Sequence, residues 1–216
     1  MTENITIEKM TDRTYLDYAT TCNIIQDSHG LIWFGTNKGL VKYNGITFDK
    51  TDLYRNIKDL PIDVEIKSMC QNKYGNIIIC TTNGTLMEYD IETDNSKIIN
   101  VPFQRFLSGN DTLRIIEDDY EYLWIGTVNF GLFKFNKISG EYYHFKKDPT
   151  NPGKSLISNS IWSFYFDNKI KKLYIGTFEG SINIYDYETN SFSYTILDRI
   201  NPTFQSHASV NFIFRD

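Results

Sequence analysis

At 216 residues, with 22 Lys and Arg against 27 Asp and Glu, the chain carries a net charge of −5. It therefore lacks the basic footprint of a nucleic-acid binder. No run of eighteen apolar residues offers a membrane span, and the polar start Thr2-Glu3-Asn4 is not a signal peptide. The 15 Tyr, 15 Phe and 3 Trp suit a sheet protein, where rings pack on pleated surfaces.

In chain order, residues 1–20 hold one weak strand, Ile5 to Met10, and a second apolar stretch from Tyr15 to Tyr18. The first full unit then begins. Asn23 to Asp27 reads as a strand, Ser28-His29-Gly30 as a tight turn and Leu31 to Thr36 as a second strand. Asn37-Lys38-Gly39 turns into a third strand, Leu40 to Tyr43, and Asn44-Gly45 leads into Ile46 to Phe48. Short strands joined by Gly, Asn and Asp turns are what antiparallel hairpins demand.

That grammar recurs. Leu-Ile-Trp-Phe-Gly-Thr at 31–36 returns as Ile-Ile-Ile-Cys-Thr at 77–81, Leu-Trp-Ile-Gly-Thr at 123–127 and Leu-Tyr-Ile-Gly-Thr at 173–177. The Gly positions 35, 80 (Cys), 126 and 176 are spaced by 45, 46 and 50 residues, a period that marks a propeller or another repeat array. The expected fold is all-β: a β-propeller of about four four-stranded blades (20–48, 64–99, 112–145 and 159–196) plus the first strand of a fifth at 209–216. All five prolines fall in the polar segments between units, read as crossovers from an outer strand to the next inner one.

These residues resemble the two-component regulator propeller repeat, whose pattern is roughly I-x-x-D-x-x-G-x-L-W-I-G-T-x-x-G-L-x-x-Y. Ile24 to Tyr43 and Ile115 to Phe135 carry it best; Ile66 to Tyr89 and Ile161 to Tyr185 are degenerate copies, and Asp148-Pro149 to Ser155-Leu156 is similar to the family's linker. The resemblance implies the N-terminal periplasmic sensor region of a Bacteroidetes hybrid two-component histidine kinase and response regulator. Such a sensor implies oligosaccharide detection, control of polysaccharide utilisation, and a kinase carried elsewhere in a full-length relative. The remaining propeller blades of that relative are implied partners, and four open blades are expected to self-associate in isolation.

Chemistry is sparse in the pattern. Asp27, Asp118 and Asp167 recur in one turn of the repeat, where Asx side chains bond backbone N–H groups. His29, His144 and His207 lack ligand spacing, so neither a metal nor a cofactor is expected, and no catalytic residue is assigned. Cys22, Cys70 and Cys80 read as free thiols in apolar strands. Trp33 and Trp124 recur, with Ile78 and Tyr174 as counterparts, and read as blade-packing residues. The ligand-binding candidates are the residues that break the repeat: Asn129, Phe130, Phe178 and Glu179 in second-to-third-strand turns, Arg55 and Lys58 in the first crossover, and Arg105 in the second. Loops on a rigid scaffold are where binding resides. Two other classes stay open at this stage: a carbohydrate-active lyase or glycosidase on a propeller scaffold, and a purely structural interaction scaffold.

Overall fold

The structure, a computed structural model, describes residues 19–53, 55–57, 65–107, 114–178, 180–196 and 209–213. The expected segments Ile5 to Met10 and Tyr15 to Tyr18 lie outside them. Among the described residues, sixteen strands form four antiparallel sheets, each a four-stranded meander. Blade one is β1 (Thr21–Gln26), β2 (Ile32–Thr36), β3 (Gly39–Tyr43) and β4 (Phe48–Lys50). Blade two is β5 (Ile66–Gln71), β6 (Ile77–Thr81), β7 (Leu86–Asp90) and β8 (Asn95–Ile98). Blade three is β9 (Arg114–Glu117), β10 (Tyr122–Gly126), β11 (Leu132–Asn136) and β12 (Tyr142–Phe145). Blade four is β13 (Ile161–Asp167), β14 (Lys172–Thr177), β15 (Ser181–Asp186) and β16 (Ser191–Ile196).

The first strands sit side by side at the inner edge, β1 against β5, β5 against β9 and β9 against β13. They are stitched by polar side chains. Ser68 Oγ accepts from Ile115 N at 3.1 Å, Arg114 Nε donates to Trp162 O at 3.0 Å, and Ser163 Oγ donates to Val210 O at 2.6 Å. Residues 209–213 form no strand among the described residues. Val210 nevertheless docks as the start of a next unit would, its N–H on Thr177 O at 3.0 Å, as Ile161 N bonds Thr127 O at 2.8 Å.

The repeated motif has two physical jobs. The turn carboxylate caps its own loop: Asp118 Oδ1 accepts from Tyr120 N and Tyr122 N at 2.9 and 3.0 Å, while Oδ2 takes the Trp124 indole N–H at 2.7 Å. Asp27 holds His29 N, Leu31 N and the Trp33 indole in the same way. A buried indole N–H usually finds an acceptor, and Trp33 and Trp124, both fully buried, have theirs. They are core residues, as the recurrence implied.

The glycine gives space rather than a turn. A Cβ on Gly126 would lie 2.4 Å from Ile161 Cγ2, and one on Gly35 would lie 2.8 Å from Ile66 Cγ2. The bare backbone thus lets a β-branched residue of the next blade press onto it. Val210 occupies the same place over Gly176.

Candidate functional site

The first strands share an irregularity that aims side chains at one end of the inner face. In β1, β5 and β13 the register with the second strand slips by one residue, between Thr21 and Asn23, Ile66 and Ser68, and Ile161 and Ser163. Such a bulge re-aims the extra residue. The three bulged residues are Cys22, Lys67 and Trp162, all half-buried. Each is followed by a small polar residue, Asn23, Ser68 or Ser163, yet these three differ completely in size and chemistry.

Around them lies a mixed polar and aromatic cluster. Lys67 Nζ meets Glu65 Oε1 at 2.9 Å, and the Cys22 thiol donates to the same oxygen at 3.8 Å. The Lys67 hydrogen bond is the main force holding the Glu65 carboxyl below its ordinary range. Burial, then the Glu65 charge, pushes the Cys22 thiol up, so it stays protonated and weakly nucleophilic. Arg114 lies near Cys22, where its charge works weakly against the rise in the thiol pKa, and burial disfavours its guanidinium charge. Trp162 packs against Phe178 with ring centroids 5.6 Å apart, and Phe178 is 48% exposed. A cavity of about 210 Å³ below them is lined by Arg114, Trp162, Ser68, Ser163, Asn23 and Phe212, among others. Every blade thus contributes to this cluster of two cations, one carboxylate and two rings, of which Arg114 and Trp162 line the cavity itself.

Of the residues picked from sequence, Phe178 belongs to this cluster; Glu179 and Lys58 lie outside the described residues. Phe130 and Asn129 occupy the corresponding turn one blade earlier. The Phe130 ring packs on Phe106, 5.3 Å between centroids, and Arg105 covers the other part of that patch, 4.7 Å over Phe106. Asn129 is exposed. Arg55 sits apart, with its guanidinium 2.9 Å from Asp94 Oδ2 at the far turn of blade two. Cys22, Glu65, Lys67, Arg114 and Trp162 were missed as binding residues. Their sequence signal is a spacing: Ile66 and Met69, or Ile161 and Phe164, both point inward although three residues apart, which needs one extra residue between them.

Among the described residues, no group of three or more His, Cys, Asp and Glu is placed to hold a metal ion. His144 stacks on Phe133 and its Nε2 lies 2.6 Å from Phe130 O. Burial lowers its pKa, as befits a packing role. Cys22, Cys70 and Cys80 are all free. Burial pushes the Cys70 thiol up to about 12 and raises Cys80 as well. No helix among the described residues is long and apolar enough to cross a membrane.

The sequence matches no protein-family model and no curated protein. Solved structures do match. The extracellular domain of BT4673 from B. thetaiotaomicron, ascribed to a one-component system, superposes with a TM-score of 0.66 at 21% identity, over 90% of this chain and 24% of that one. The fold is a β-propeller. The extracellular domain of BT3049 from the same organism, ascribed to a hybrid two-component system, gives 0.61 at 23% identity, over 82% and 24%. This propeller chain therefore spans about a quarter of the length of those two neighbours. A catalytically inactive virginiamycin B lyase from Staphylococcus aureus also matches, at 0.58 and 14% identity over 80% and 54%. At these identities the likeness establishes the fold, and the fold alone does not choose between sensor and enzyme.

Proposed function

We propose that the chain is the non-catalytic ligand-binding part of a periplasmic two-component sensor, and that it takes an oligosaccharide at the mouth formed by its first strands. The observation that carries this reading is the set of bulges. Where repeats agree they build the blade; where one re-aimed position reads Cys22, Lys67 and Trp162, the differences serve a ligand. Ring faces on Trp162 and Phe178 beside Glu65, Lys67 and Arg114 match the needs of a polyhydroxylated ring, with one apolar face and a polar edge. Two neighbours that are extracellular domains of signalling proteins support the sensor role and the location. Control of polysaccharide utilisation follows as the physiological output.

Titration calorimetry of the purified protein against an oligosaccharide panel tests it. Trp162→Ala and Phe178→Ala should each weaken a hit at least about tenfold, or 1.4 kcal/mol, without sugar turnover. Binding that ignores both substitutions, or product release, would sink the reading.

The partners proposed are further propeller blades, or a second copy in isolation. Ile24 on β1 is 61% exposed, whereas its counterpart Met69 on β5, covered by blade one, is 3% exposed. Phe212 is 86% exposed at the other end. Light scattering behind a sizing column should therefore give a mass well above 25.3 kDa, and a monomer across micromolar concentrations would contradict it.

A further inference from the structure

The outer groove between blades three and four differs from its counterpart between blades one and two in a way that points to a second ligand. Both grooves are closed by the same device. In blade two, Tyr89 donates to Asp94 Oδ1 at 2.8 Å; in blade four, Tyr185 donates to Asn190 Oδ1 at 2.9 Å. Asp94 and Asn190 hold the same turn position, with φ of 55° and 50°. In each case a crossover cation reaches that turn. Arg55 pairs with the Asp94 carboxylate at 2.9 Å, but among the described residues Lys154 has only the Asn190 backbone carbonyl, also at 2.9 Å. The Asp-to-Asn exchange has removed the counter-ion and left the cation.

A second cation lies deeper in the same groove. Lys134 is 6% exposed. Its ammonium sits 4.2–5.1 Å from the rings of Tyr122, Trp124, Tyr185 and Tyr187. Its hydrogen bond runs to Tyr185 Oη at 3.3 Å. Among the described residues no carboxylate comes within ion-pair distance of it; the nearest in charge, Asp118, is already committed to two backbone amides, an indole and the Tyr187 hydroxyl. Ring faces hold an ammonium well, but they do not neutralise it, and burial disfavours its charge.

The groove has room and a floor. Its volume is about 460 Å³, lined by Lys134, Lys154, Tyr143, Phe145 and Asn190 among others, within the range of small-ligand sites. Tyr143 and Phe145 point the same way from β12, their rings parallel to within 11° and 6.3 Å apart. Tyr143 is 44% exposed. Both rings line the groove, Tyr143 being the more exposed of the two. With its oxygen bound by Tyr185, the Asn190 amide has its NH₂ left to offer.

We propose that this groove binds an acidic saccharide of the uronate class, a pyranose face resting on Tyr143 and Phe145 and its carboxylate held by Lys134 and Lys154. The site stands apart from the mouth of the first strands and does not depend on what binds there. One group opposes it: Glu141 accepts from the Tyr143 hydroxyl at 2.6 Å and puts a negative charge at the rim.

The test uses the whole chain and a short oligogalacturonate, with its methyl ester as the neutral control, both read by calorimetry. The acid should bind at least about tenfold tighter than the ester. Asn190→Asp, which restores the blade-two arrangement, should abolish that preference; Lys154→Gln should reduce it, and Glu141→Gln should strengthen binding. Tyr143→Ala should weaken acid and ester alike. All four positions are exposed, and unchanged urea unfolding would certify each variant's fold. Equal binding of acid and ester, no binding of either, or affinity indifferent to Asn190→Asp and Tyr143→Ala would overturn the proposal.

Discussion

Blades two and three have the same four-stranded meander, yet they solve its interior differently. Blade three uses Asp118 to hold the Trp124 indole and places Lys134 on the third strand. Blade two has Asn72, Ile78 and Glu88 at those positions. The acid has moved from turn to strand: Asn72 Nδ2 and Asn76 Nδ2 donate to Glu88 Oε1 at 2.9 and 3.0 Å, and Lys97 and Lys137 flank its other oxygen at 3.0 and 3.6 Å. Blade one sides with blade three, with Asp27, Trp33 and Lys42. In these three blades turn acid, indole and strand lysine differ together, whereas blade four keeps the turn acid Asp167 beside Tyr174 and Ile184; a buried indole without an acceptor, or a buried carboxylate without donors, would each be costly.

The largest effect should separate the two designs most clearly. Trp124→Ala empties a large buried site and also removes one of the donors to the Asp118 carboxylate, so we expect a loss of about 3–5 kcal/mol in urea unfolding. Ile78→Ala, with no such partner, should fall below it. Equal losses would mean that the indole's hydrogen bond contributes nothing, and a Trp124 loss under about 1 kcal/mol would mean that it is not core.

A smaller effect is expected at the interblade contact. Blade three has Gly126 where blade two has Cys80, and the residue facing Gly126 from the next blade is Ile161. Gly126→Ala forces a methyl into Ile161 and Phe164, an overpacking cost of about 1–3 kcal/mol. Adding Ile161→Ala should cost less in the Gly126→Ala background than alone. Strict additivity would show that the two residues do not meet.

The smallest effect is in pH dependence. Glu117 stands where blade two has Gln71. Burial raises its pKa, with Lys137, 2.5 Å from Oε2, pulling it back. A carboxyl whose folded pKa is raised contributes stability that is full below its unfolded value, near 4.5, and is lost as pH rises through the folded one. Glu117→Gln should therefore flatten stability against pH just above that value. An unchanged curve would mean that the Lys137 contact cancels the burial.

The strand pattern, the hairpin turns and the turn acids were legible in the sequence, because a period of two and the Gly, Asn and Asp punctuation are local properties of the chain. The four short copies of the Gly-Thr segment counted the blades for the same reason. Phe178 was also legible, as an aromatic out of place in a turn. Other features belong to the tertiary structure alone. The mouth of the first strands joins Cys22, Lys67, Arg114 and Trp162 from four blades, and a one-residue bulge is invisible to a reading that assumes strict alternation. Arg55, read as a loop cation open to ligand, turned out to be paired with Asp94, while Lys154, in a linker read only as a family mark, has no carboxylate at the equivalent Asn190. Lys134 and Tyr187 meet although 53 residues separate them. Sequence spacing within a repeat fixes which residues share a blade face, but packing of one blade on the next decides which charges are left without partners.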